Sequence, residues 1–219
     1  MIRFNKTNIY KIHLTLIRNI FEDGSLDRIL QPIGEAIKNC EENIDAASST
    51  NNEDYIDSVV DYEVEIIENL LGTSFIACQT YITGIVSRIV SLHKYHNGQK
   101  PNKLTTTGNK KLDILSFGDK PKNIKYTKVQ LIDSFANYFK HRDEWNYNWD
   151  KATGKSTHTI KIIKSVGLKS GSSGNLRTAA KSLGNSEFKN IEIFYDIIYN
   201  WCKNLYDDYQ SELKKLKLI

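Results

Sequence analysis

Asp54 to His96, DYIDSVVDYEVEIIENLLGTSFIACQTYITGIVSRIVSLHKYH, is the longest stretch of this sequence that reads as one uninterrupted element. Ile56, Val60, Val64, Ile67, Leu71, Phe75, Cys78, Ile82, Ile85, Ile89 and Leu92 recur at steps of three and four, the spacing that lines one face of an α-helix. At 1.5 Å per residue such a helix runs about 60 Å. Ile76, Ala77, Tyr81, Val86 and Val90 widen the stripe in the second half. That half is expected to be the central, most buried rod of the molecule. Gly72 and Gly84 interrupt it, each at a cost of about 1 kcal/mol against Ala unless a neighbouring helix packs closely there.

The other segments follow the same period. Ile9, Ile12, Leu16 and Ile20 predict a helix over Asn8–Asn19, broken by Asp23-Gly24-Ser25. Ser25 is an N-cap for a second helix carrying Leu26 to Cys40, with Pro32 inside its first two turns. Residues 46–53 lack an apolar anchor and read as a loop, and Asn52 or Asp54 caps the central helix. From 98 to 128 Gly, Pro, Asn and Lys dominate, so an irregular connection is expected, with one short helix or strand anchored by Leu112, Ile114, Leu115 and Phe117. Tyr126–Asn148 is the next helix, with Thr127 as its cap. Residues 150–187 form a basic loop region holding an apolar piece (Ile160 to Val166) and a short helix over Asn175–Leu183, and Phe188–Leu218 closes the chain. The expected architecture is a single all-α domain over 1–219, a bundle of about five or six helices around one long central helix.

With 219 residues, 40% of them hydrophobic, and three prolines, the chain suits one globular, helix-rich domain. Cys40, Cys78 and Cys202 show no paired spacing and fit small buried thiols in a reducing compartment. Met1 leads into a polar segment, and no apolar run approaches the ~20 residues that span a bilayer. A cytoplasmic protein with no membrane partner is therefore expected. Its charge is unevenly divided: residues 1–70 carry 6 basic and 14 acidic side chains (net −8), residues 100–189 carry 18 and 7 (net +11). Such a split can steer a polyanion to one end, while the acidic end meets a basic surface on a second copy. Ordinary solvated lysines account for the same letters.

Asn137-Tyr138-Phe139-Lys140-His141-Arg142-Asp143-Glu144-Trp145 is the strongest constellation for chemistry. Asp133, Asn137, Lys140, His141 and Glu144 lie at helical steps, so they form one ridge. A neutral imidazole both takes and gives a proton, which suits His141 to acid–base work. Lys140 and Arg142 are phosphate contacts, while Asn137 and Glu144, one turn to either side of His141, orient its ring. This is the equipment of a metal-independent ribonuclease, and equally of a solvated helix face laced with charge pairs.

The long antiparallel helices followed by Asn137-x-x-x-His141 resemble the HEPN superfamily, whose signature is Arg-x(4 to 6)-His, often Arg-Asn-x-x-x-His. The resemblance covers about residues 54–150. It implies an all-α, usually dimeric bundle and, for many members, metal-independent RNA cleavage in toxin–antitoxin, abortive-infection and CRISPR systems. RNA, a second copy or a partner protein of a defence system are the partners it implies. The arginine position holds Ala136, so either Arg142 or Lys140 supplies the cation or the chain is a non-cleaving member. Arg88-Ile-Val-Ser-Leu-His93 is a second formal match, but five residues of helix turn roughly 500°, which separates the two side chains.

Three weaker signals remain. Gly171-Ser172-Ser173-Gly174-Asn175 could present backbone N–H groups to an anion beside Lys169, Arg177 and Lys181, or be a loop capped by Asn175. Gly154-Lys155-Ser156-Thr157 imitates a phosphate-binding loop, yet Trp149 stands where its first glycine belongs. His93-x-x-His96 lacks the further ligands of a metal site, so neither metal nor cofactor is expected. Trp145, Tyr147, Trp149, Tyr195, Tyr199 and Trp201 read as packing between the two late helices. A non-catalytic helical module that binds nucleic acid or a partner protein is the alternative to the nuclease.

Overall fold

A computed structural model describes residues 6–100, 102–145, 148–154, 156–185 and 190–219, without the side chains of residues 6–8. Among them the chain forms eight α-helices and no strand: α1 (Lys6–Glu22), α2 (Ser25–Ser48), α3 (Glu53–Asn97), α4 (Lys111–Leu115), α5 (Lys128–His141), α6 (Ser156–Lys164), α7 (Asn175–Ser182) and α8 (Glu192–Lys215). Single 3-10 turns occupy Arg142–Glu144 and Trp149–Lys151. The architecture is an all-α bundle around one long central helix.

α3 has 45 residues and starts where Asn52 Oδ1 accepts the Tyr55 N–H at 3.2 Å. Leu71, Phe75, Cys78, Ile82, Ile85, Ile89 and Leu92 are fully buried along it, and α1, α2, α5, α7 and α8 all pack on it. By length and composition α3 is apolar enough to cross a membrane, contrary to the expectation of no such run. Its apolar residues are instead spent on the bundle core, as in the central helix of a globular domain. α5 comes close at Gly72: a Cβ there would run into the Phe139 ring. The glycine's helix cost is therefore offset by helix–helix packing.

α2 folds back along the first half of α3 and runs to Ser48, so only 49–52 remain of the expected loop over 46–53. Ala47 is buried, and the hydroxyls of Ser48, Ser49 and Thr50 donate back to the carbonyls of Ile44, Ala46 and Ala47. The polar letters that suggested a loop are the ones that close the helix end. The 98–128 connection is irregular as expected, with α4 inside it. Leu104, Ile114 and Leu115 anchor it, but Leu112 is exposed. It is strapped to α8 by Glu212, whose carboxylate accepts from the N–H and hydroxyl of both Thr105 and Thr106. Burial raises that carboxyl's pKa, and these four bonds outweigh it and hold it below the ordinary range.

α5 begins in a capping box: Thr127 Oγ1 accepts from Gln130 N, and Gln130 Oε1 accepts from Thr127 N. It ends at His141, not at Asn148. Trp145 still packs on Tyr138, with ring centres 5.8 Å apart, from beyond the 3-10 turn, so the apolar spacing outlasts the helix. Phe188, the expected start of the last helix, lies outside the described residues, and α8 is described from Glu192.

Candidate functional site at the end of α5

The ridge on α5 divides into two parts. Its inner part faces α3 at Gln79. There Gln79, itself buried, donates from Nε2 to Asp133 Oδ1 at 2.8 Å, Asp133 O at 3.1 Å and Asn137 Oδ1 at 3.0 Å. Its Oε1 accepts from Lys140 Nζ at 2.6 Å, and Lys111 Nζ pairs with Asp133 Oδ1 at 2.8 Å. Asn137 and Lys140 thereby tie α5 to α3. Asn137, expected to orient His141, bonds Gln79 instead, and Lys140, expected as a phosphate contact, is exposed with its ammonium on Gln79 Oε1. Ala136 is fully buried, so the place of the motif arginine faces the core and offers no room for a charged side chain near solvent.

The outer part points to solvent. The His141 side chain is 46% exposed, and its Nδ1 lies 3.2 Å from Glu144 Oε2. Arg142 extends over the Phe139 ring, 5.0 Å from its centre, and donates to Asn69 Oδ1 at 3.3 Å. Beside these groups opens a pocket of about 150 Å³ lined by Tyr138, Arg142, Asp143, Trp145, Trp149 and the Ser170–Gly171 turn. The three rings stand 5.8 to 6.2 Å apart, with Trp149 edge-on to both others. An apolar cavity of about 150 Å³ holds a benzene ring, so this pocket has room for one planar ring. Asn175 fixes the Tyr138 hydroxyl at 2.9 Å, and burial raises the Tyr138 pKa more than that bond lowers it. The phenol thus stays protonated as part of the wall.

The second Arg–His match is not assembled. Arg88 is exposed on α3, while His93 is buried and bonds Tyr209 Oη at 2.8 Å through Nε2. Tyr209 in turn bonds the Thr107 hydroxyl at 2.6 Å. His96 is buried as well, between Tyr10 Oη (3.1 Å) and the Asn102 carbonyl (2.7 Å), so the pair is structural. Among the described residues no three His, Cys, Asp or Glu side chains gather as a metal set.

The expected anion site is already filled from within. Glu68, buried on α3, accepts from the N–H groups of Leu176 and Arg177 at 2.9 Å and from Arg177 Nε at 3.1 Å. An internal carboxylate thus occupies the positive N-terminus of α7. Asn175 is buried and ties the loop by bonds to the N–H and carbonyl of Lys169. Lys169 and Lys181 are exposed, but the N–H groups of Leu176 and Arg177 between them are taken by Glu68. Lys155, of the rejected phosphate loop, lies outside the described residues. The aromatic residues form separate groups: Trp145 and Trp149 with Tyr138, Tyr195 stacked on Tyr199 against Phe21, and Trp201 buried by Gly118. Tyr147 lies outside the described residues.

Sequence reasoning missed Gln79, Glu63 and Glu68. All three are buried polar residues of α3 with partners on other elements. Their one signal is that each interrupts an otherwise apolar face. Compared with protein-family models, curated proteins and solved structures, the chain matches none.

Proposed function

We propose that the protein binds single-stranded RNA at the C-terminal end of α5 and cleaves it without metal, as a HEPN-like cytoplasmic module of bacterial antiviral defence or toxin–antitoxin type. The observation that carries this reading is the exposed His141–Glu144 pair, adjacent in the chain to Arg142, Asp143 and Trp145, which line the aromatic pocket. Unstacked bases are recognised by aromatic faces and guanidinium planes, which Trp145 and Arg142 provide. Glu144 engages Nδ1 of His141, so Nε2 is the ring atom turned to substrate. It would take the proton of a ribose 2′-hydroxyl as that oxygen bonds to phosphorus, and the proton would return to the departing 5′-oxygen. Arg142 would balance the charge gathering on the phosphate. Purified protein is incubated with unstructured RNA in chelator. Wild type is expected to cut it while His141→Ala does not, and equal slow decay in both removes the cleavage step.

The engagement of Asn137 and Lys140 by Gln79 favours a second reading, a non-catalytic module that holds nucleic acid or a partner at the same surface. Binding that weakens steeply with salt, forms no product and is indifferent to His141 selects it.

A further inference from the structure

Between Asn39 and Ser87 the chain has no Lys or Arg and ten acidic residues, three on α2 (Glu41, Glu42 and Asp45) and seven on α3 from Glu53 to Glu68. This is the hairpin of α2 with the first half of α3. Ile67 is buried against the core, and Glu63 accepts from Asn43 of α2 at 2.7 Å, which fixes the face that α3 turns inward. About 100° round the helix lies a second stripe, Tyr55, Val59, Tyr62 and Ile66, spaced four, three and four. Tyr62 is 64% and Tyr55 49% exposed, the only strongly exposed aromatic side chains among the described residues. Val59 and Ile66 are half-buried between and behind them. Asp54, Asp61 and Glu65 each precede a stripe residue by one position, so they form an exposed acidic ridge parallel to it.

We infer that this stripe is the docking site for an amphipathic helix of a separate partner protein, with apolar residues at the same three–four spacing and Lys or Arg along one edge. Apolar knobs at this spacing pack into a facing helix, and flanking charges choose which helix. A second copy using the same stripe would set its own acidic ridge against this one, which like charge disfavours. The chain's own basic part, 100–189, is no better match: among its described residues it exposes one large apolar side chain, Leu112. Large aromatic side chains at the middle of a helix-binding face are the ones that carry most of the affinity. The site is at the far end of α3 from its His93 terminus and does not depend on the RNA reading.

The full chain is titrated with a labelled 21-residue helical peptide carrying Leu at the three–four positions and Lys beside them, and with a scrambled peptide of equal composition. The patterned peptide is expected to bind at least tenfold more tightly than the scrambled one, and Tyr55→Ala/Tyr62→Ala to lose that difference at unchanged helix content. Reversing the ridge with Asp61→Lys/Glu65→Lys should transfer preference to a peptide with Glu in place of Lys, a gain that misfolding does not produce. Equal binding of patterned and scrambled peptides, or no effect of the tyrosine substitutions, overturns the inference. So does a wild-type dimer in light scattering that the tyrosine variant converts to monomer, since the stripe would then serve a second copy.

Discussion

The inner and outer parts of the α5 ridge are built from the same kinds of residue and come to opposite ends. Asp133, Asn137 and Lys140 converge on a single buried amide, Gln79, on the facing helix α3. The helix stops at His141, and among the described residues His141 and Glu144 pair with each other in an exposed position, in a segment whose Arg142, Asp143 and Trp145 line an aromatic pocket. Chemistry-bearing residue types therefore do not mark a site here. What separates scaffold from candidate site is whether the facing helix offers a buried partner.

The largest effect expected from this difference is on turnover. If the outer part is catalytic, His141→Ala removes acid–base help worth about 10²- to 10⁴-fold in rate. The same change should move stability by no more than about 0.5 kcal/mol, since the side chain is half-exposed with one partner. Asp133→Ala should do the reverse: RNA cleavage per folded molecule unchanged, and unfolding free energy lower by about 2 kcal/mol. That figure is discounted because the Lys111 side chain is 45% exposed and can turn to water once its partner is gone. Urea unfolding and single-turnover cleavage on both variants give the two axes. A stability loss in His141→Ala equal to that in Asp133→Ala would erase the distinction.

The close approach of α5 to α3 at Phe139 can also be broken directly. Gly72→Ala places a methyl group on the Phe139 ring, and over-packing of this kind costs about 1–3 kcal/mol. Phe139→Leu, which takes away ring atoms at the same place, should recover part of that loss in the double variant, a coupling a double-mutant cycle measures. Additive effects would mean that the two residues do not meet.

The long helices were legible because an apolar period of 3.6 over 45 residues has no rival reading, and the Thr127 cap and the need for a close neighbour at Gly72 followed from local rules. The end of α5 was not legible, since Trp145 keeps the helical phase while packing onto Tyr138 from beyond a 3-10 turn. Gln79 and Glu68 were invisible for a different reason. A lone polar residue in an apolar run means nothing until its partners are known, and these stand 54 and 108 residues away. The anion site failed in the same way: Glu68 reaches the α7 N-terminus from a helix that carries no sign of it. His93 and His96 read as a helix-end pair because nothing local announces that Tyr209 and Tyr10 close over them.

The smallest expected effect concerns the buried His93 and the half-buried His13. Burial lowers the His93 pKa; Glu212 opposes this and His96 adds to it, and the ring sits against Tyr209. His13 is lowered too, by burial and then by Arg88. A group whose pKa is depressed in the fold leaves stability untouched above its unfolded value, about 6.5 for histidine. As pH falls below that value the unfolded chain takes up protons that the fold resists, so stability declines toward the folded pKa. Between pH 7.0 and 5.5 most carboxylates are still ionised, which isolates the histidine contribution. The urea midpoint of the wild type should therefore drop over that interval, and drop less in His93→Gln/His13→Gln, in which neither side chain titrates. An equal drop in both proteins would show that these rings carry no part of the pH dependence. The buried His93–Tyr209–Thr107 chain would then be tolerating a proton that its surroundings are built to exclude.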